Sequence, residues 1–240
     1  MTIRHIPTFC LFLAALPCSA SPKVTLVSAR EPAGYVARLL INETPFPGER
    51  GYVSEEDSQA AMRSLLLVID GRINRIPPGY RREEIADTRS GDVIDVITAG
   101  GFRGQMDGFY RDAQGRPAMA ARVTARVDRL MRIAGEGEPG RFARLLNYAQ
   151  TLASAYLQGK APAPDPYSDI RIIPPKKVTG SAYGWMTDLD GYHPGGDFVR
   201  IPDRLRGRLG GNRFFTLTQR APLAVPSPAD TNAPLVTLQR

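Results

Sequence analysis

The sequence has almost none of the residues from which most hydrolytic sites are built. Both cysteines, Cys10 and Cys18, and one of the two histidines, His5, fall in the opening stretch. That stretch has the layout of a secretory signal. Arg4 and His5 make a short basic start, Phe9 to Leu16 is an apolar run, and Cys18-Ser19-Ala20 supplies small residues before Ser21. The run is too short to span a bilayer, and Pro17 ahead of Cys18 argues against a lipoprotein anchor. Residues 1–20 are therefore read as a signal peptide, leaving a mature chain with no stable membrane span, no thiol and no disulfide. This excludes cysteine peptidase chemistry and cysteine-based metal sites. His193 is then the sole histidine, so a Ser-His-Asp triad has one candidate base and a zinc site would rest almost wholly on carboxylates. What remains is carboxylate chemistry or none, with no metal and no cofactor.

Within 240 residues, 42% are hydrophobic and 23% charged, the balance of a globular protein with a real core. The formal charge is +7, and losing Arg4 with the signal leaves +6. For an exported chain the polyanions at hand are peptidoglycan, envelope phosphates and membrane surfaces. No base-stacking motif is visible, so nucleic acid is not an expected partner.

Helical spacing dominates the first two thirds. Val36, Leu39, Leu40 and Ile41 lie at helical intervals over Gly34 to about Glu43, with Pro45 and Pro47 just beyond. Ser54-Glu55-Glu56-Asp57 resembles a capping box and opens a long helix whose buried face is Met62, Leu66, Ile69 and Ile73, widened by Leu65 and Val68. Its length suits a central helix that the others pack around. Pro77-Pro78-Gly79 breaks it. Ser90 is read as the cap of a short helix bearing Val93, Ile94 and Ile97, which stops at Gly100-Gly101. Ala118 to Ala134 and a segment starting at Pro139 predict two more helices, the second ended by Gly159. Lys160 to Pro175 is proline-rich and expected to run extended. Val178 to Thr218 is rich in glycine and aromatics, with Phe198 to Ile201 and Phe214 to Thr218 as strand candidates, and is expected to roof a cleft. The span 34–218 is thus read as one mainly α domain with a small irregular β/loop C-terminal portion, and 219–240 as a disordered tail.

Glu43 is the residue that draws chemistry to itself. An acid at the end of an apolar helix sits at the lip of the core, where desolvation disfavours its charged form and lets it hold a proton near neutral pH. A solvated carboxylate at a helix end is the plain alternative.

Five stretches, in order, resemble the cell wall hydrolase family that includes spore-cortex-lytic enzymes, within the lysozyme-like superfamily. Val36-Ala37-Arg38-Leu39-Leu40-Ile41-Asn42-Glu43 looks like the helix that ends in the family's catalytic glutamate. Ser58 to Met62, running on to Val68-Ile69-Asp70-Gly71-Arg72, is similar to the helix that usually ends in an Asn-Arg pair. Gly104-Gln105-Met106-Asp107 stands where a cleft-lining Gln motif falls, and Val178-Thr179-Gly180-Ser181-Ala182-Tyr183 is similar to a Thr-Gly-Ala-Tyr stretch. Leu209-Gly210-Gly211-Asn212-Arg213-Phe214-Phe215 matches a Gly-His-Arg-Phe-Tyr segment, with Asn212 in place of the histidine. Glu43 is followed by Thr-Pro-Phe-Pro rather than the family's Ala-Arg-Gly.

The resemblance implies a lysozyme-like helical fold and a secreted or periplasmic glycosidase or lytic transglycosylase acting on peptidoglycan glycan strands. Glu43 would be its general acid and base, and Gln105, Asp107, Tyr183, Trp185 and Asn212 its substrate contacts. The candidates for a second carboxylate are Glu49, Glu55 and Asp107, but none stands out, which favours the single-glutamate mechanism. Gln105 and Asp107 equally suit turn hydrogen bonds, and Tyr183 and Trp185 equally suit core packing. The competing reading is a non-catalytic periplasmic module that binds glycan, or envelope proteins, on the same scaffold. A groove floored by Glu43 and lined by Gln105 and Tyr183 separates the two.

Overall fold

The computed structural model describes residues 24, 26–136, 139–160, 164–187 and 193–222; the expected signal and nearly all of the expected tail lie outside them. Among these residues the chain is mainly helical, with small antiparallel sheets toward its C-terminal end. Its helices are α1 (Pro32–Asn42), α2 (Glu55–Asn74), α3 (Arg82–Ala86), α4 (Val93–Thr98), α5 (Ala121–Glu136) and α6 (Pro139–Leu157). Val24 and residues 26–28 form no strand.

Helix α1 is buried along most of its length. Tyr35, Val36, Ala37, Leu39, Leu40 and Ile41 are all buried, so it is apolar nearly all round rather than amphipathic. Pro32 opens it, where a missing N–H costs nothing. Helix α6 packs along it most extensively, followed by α5 and α2. Helix α2 packs against α6, α4, α3 and α1 as well as the C-terminal strands, as expected of a central helix, and α1 shares the core with it.

Helix α2 starts as predicted. Ser54 Oγ accepts the Asp57 N–H at 3.1 Å. The Asp57 carboxylate is turned to a distant partner, accepting the Gly210 N–H at 2.7 Å. The cap of α4 is Asp92 rather than Ser90: its carboxylate accepts from the N–H groups of Ile94 and Asp95, while Ser90 Oγ accepts from Asp92 itself. Helix α5 begins at Ala121, not Ala118. Strand β2 (Pro117–Met119) pairs instead with β1 (Phe109–Arg111) in a hairpin clamped by Tyr35, whose hydroxyl donates to the Ala118 carbonyl at 2.7 Å.

The proline-rich stretch holds a small hairpin, β3 (Ile172–Ile173) with β4 (Lys176–Lys177). The remaining sheet is built on β8 (Asn212–Leu217), flanked by β5 (Gly184–Thr187) and β6 (Phe198–Arg200) and extended by β7 (Arg208–Leu209). Strands β7 and β8 join through Gly210-Gly211. Both have positive φ, 51° and 69°, the pairing that a two-residue hairpin turn demands. The turn presses on the start of α2: a Cβ on Gly210 would lie 2.7 Å from the Ala61 Cβ. Through this contact and those of β5, the sheet sits against α2 and closes over the C-terminal end of α1.

Candidate active site

Glu43 caps the C-terminus of α1, with its N–H on the Leu39 carbonyl at 2.9 Å. It faces a pocket of about 320 Å³, whose walls include Thr44, Glu49, Arg50, Arg126, Thr187 and Asn212. Two side-chain donors hold its carboxylate. Trp185 Nε1–H donates to Oε2 at 3.1 Å from β5, and Asn42 Nδ2 donates to Oε1 at 3.0 Å. Glu43 is half-buried, and desolvation of its carboxyl raises it above the ordinary glutamate value. The Trp185 and Asn42 hydrogen bonds and the charges of Arg126 and Arg122 oppose that shift without cancelling it. The negative end of the α1 dipole acts in the same direction as burial.

The turn that carries Glu43 is held from outside its own segment. Asn212 is buried, with its Nδ2 donating to the Glu43 carbonyl at 2.6 Å and to Gly210 O at 3.3 Å. Those two acceptors fix the amide so that Oδ1 is left with no partner, and Thr44 Oγ1, on the same pocket wall, is likewise unpaired. Ser58 Oγ donates to Pro45 O at 2.9 Å, tying the next residues to α2. Arg126 of α5 donates to Ile41 O at 2.6 Å and to Thr44 O at 3.0 Å, so it bridges the chain on both sides of the acid.

Asn212 thus comes to Glu43 through its amide, on the backbone rather than as a free pocket side chain. Trp185 comes to the carboxylate itself. Gln105 is exposed and binds Arg72, whose guanidinium lies 5.6 Å from the Trp185 ring. Arg72 is buried, donates through Nε to Tyr183 O at 2.8 Å, and is brought down to about 10 by desolvation. Gln105 therefore reaches Glu43 only through Arg72 and Trp185. Asp107 is exposed and paired with Arg122 at 2.7 Å. Neither Gln105 nor Tyr183 lines the pocket, so the groove expected to separate an enzyme from a binding module is not the one found beside Glu43. Tyr183 is buried against α2, its hydroxyl donating to Arg75 O at 2.7 Å and its ring 3.3 Å from where a Cβ on Gly71 would sit. That contact explains a glycine inside a long helix.

The candidate second acids are all engaged. Glu49 lines the pocket, but it accepts from Arg126, from Arg129 at 2.8 Å and from the Phe46 N–H at 2.9 Å. Glu55 pairs with Arg144 and Asp107 with Arg122. Among the described residues, Glu43 alone combines a pocket with a carboxyl held toward its protonated form. His193 is exposed in its turn, with Nδ1 accepting the Gly195 N–H at 2.9 Å. No cluster of three or more His, Cys, Asp or Glu placed to hold a metal occurs among the described residues. No helix among them is long and apolar enough to cross a membrane.

Arg126 and Asp57 are site residues that the sequence does not single out, and Glu49 is named there only as a possible second acid. The one available signal was the spacing of Arg122, Arg126 and Arg129, which share a face of α5. The chain matches no family model, no curated protein and no solved structure.

Proposed function

We propose that the chain is an exported, lysozyme-like enzyme that cleaves the glycan strands of peptidoglycan, with Glu43 as its single general acid and base. One observation carries the reading. A carboxyl whose protonated form is favoured by desolvation lines a pocket of about 320 Å³.

Protonated Glu43 gives its proton to the glycosidic oxygen as the bond to the anomeric carbon breaks, leaving an oxocarbenium-like centre and a carboxylate. The Trp185 and Asn42 donors stabilise that carboxylate as it forms. The carboxylate then takes a proton from the attacking hydroxyl and returns to its starting state. With water the product is a reducing end; with the muramic acid's own hydroxyl it is a 1,6-anhydro ring. The engagement of Glu49, Glu55 and Asp107 by arginines favours this one-carboxyl route over a second acid acting as nucleophile.

The test is release of soluble fragments from purified sacculi by the wild type and by Glu43→Gln. The wild type is expected to clear sacculi and the variant to fold and lose at least about a thousandfold in rate, the scale at which acid catalysis and charge stabilisation act together. Equal clearing by both proteins removes Glu43 from the mechanism. Sacculus binding without fragment release by either supports the non-catalytic module. Mass spectrometry of the products distinguishes hydrolysis from anhydro-ring formation.

A further inference from the structure

We infer that Arg126, braced by Glu49, is a positioning residue for Glu43, fixing the backbone on both sides of the acid and so the direction in which its carboxyl points. The inference rests on the proposed role of Glu43 but comes from separate atoms. Helix ends leave carbonyls unsatisfied, and the Ile41 carbonyl is one of them. Arg126 Nη1 takes it at 2.6 Å, while Nη2 takes Thr44 O at 3.0 Å on the far side of Glu43. The same guanidinium binds both Glu49 carboxylate oxygens, with Nε at 3.2 Å from Oε1 and Nη2 on Oε2. Glu49 in turn accepts the Phe46 N–H at 2.9 Å, and the Arg126 guanidinium lies 5.7 Å from the Phe46 ring centre. One side chain thus spans the turn from Ile41 to Glu49.

The geometry needs an arginine. A guanidinium offers five donors in a rigid plane, enough for two carbonyls in different directions and a carboxylate. A lysine keeps the charge but donates from one point and cannot hold Ile41 O and Thr44 O apart. Charge and positioning are therefore separable by substitution.

The groups around Glu43 set what the charge does. Arg122 and Arg126 face it from α5, with Arg122 shared with Asp107 and Arg126 with Glu49. Arg50 and Glu49 line the pocket from the loop and Arg208 from β7. Trp185 approaches from β5, with Arg72 of α2 over its ring, and Asn42 from the end of α1. Losing the Arg126 charge leaves Glu49 less compensated, so both changes favour protonated Glu43 and move its titration to higher pH.

The experiment compares Arg126→Lys and Arg126→Gln with the wild type. It reads the pH dependence of fragment release from sacculi, a ¹³C NMR titration of the Glu43 carboxyl, and the indole N–H resonance of Trp185. That resonance is unambiguous, because Trp185 is the sole tryptophan. A general acid must be protonated, so activity falls as pH rises through its pKa. Arg126→Lys is expected to lose about ten- to a hundredfold in rate, as for a reacting group displaced by about an ångström, with the alkaline limb unmoved and the indole signal shifted. Arg126→Gln is expected to lose as much and to move both the limb and the Glu43 titration to higher pH. A lysine variant with wild-type rate and an unshifted indole signal overturns the positioning role. If the glutamine variant fails to fold, the lysine variant alone decides. If the wild type releases no fragments, the proposed function falls, while the carboxyl titration and the indole signal still decide whether Arg126 orients Glu43.

Discussion

Glu43 costs the folded chain something at neutral pH, and the sign of that cost can be worked out. In the unfolded chain it ionises at the ordinary glutamate value of 4.5, and in the fold burial raises it. Between those two values the unfolded chain has released a proton that the folded chain still holds. Stability therefore falls as pH rises through that window and levels off above it. Glu43→Gln removes the dependence. Denaturant unfolding of both proteins at a series of pH values is expected to show the variant gaining on the wild type from pH 4.5 upward, then holding a constant margin. A margin that stays flat throughout means that the carboxyl is hydrated in the fold, and the enzymatic reading loses its physical basis. Such a gain is what the trade between activity and stability predicts for a group with the proposed catalytic role.

At the scale of elements, the β7–β8 hairpin brings the C-terminal sheet to the acid. Gly210 combines a left-handed backbone with a Cβ position 2.7 Å from the Ala61 Cβ, and its N–H is held by Asp57. Gly210→Ala is expected to destabilise by about 1–3 kcal/mol through strain and overpacking together. It is also expected to lower muralytic rate, because Asn212 two residues on would leave the Glu43 carbonyl. Chemical denaturation and sacculus clearing measure the two effects, and a variant unchanged in both shows that the turn is not what seats Asn212.

The elements also divide by how legible they were. Helices α1, α2, α5 and α6 follow from apolar spacing sustained over several turns, and the Ser54 cap from a local pattern. The β1–β2 hairpin was not legible: strands of three residues carry too little alternation to register. Ala118 and Met119 of its second arm fall inside the span that reads as the following helix, and what holds that arm in place is a tyrosine of α1. Strand β5, which delivers Trp185, was missed for the same reason.

Across the whole molecule, the site depends on α1 being enclosed. Leu40 is fully buried, and Leu40→Ala is expected to cost about 2–5 kcal/mol through the cavity it leaves. The midpoint of denaturant unfolding measures it, and a loss well below that range would mean that the packing around α1 relaxes to fill the space. Because α6, α5 and α2 all pack on this helix, the acid at its end is presented from a firmly held element.

The sequence by itself determined that an apolar helix ends in a glutamate and that prolines stop the chain just beyond it. Both follow from periodicity and backbone restriction, which act over a few residues. Only the tertiary structure decided what that glutamate is. Trp185 meets its carboxylate from 142 positions away, Asn212 its carbonyl from 169, and Arg126 reaches the Ile41 carbonyl across 85. The apolar helix end already implied a desolvated acid; what no local pattern could carry is the set of remote donors around it, of which Trp185 and Arg126 act against the upward shift.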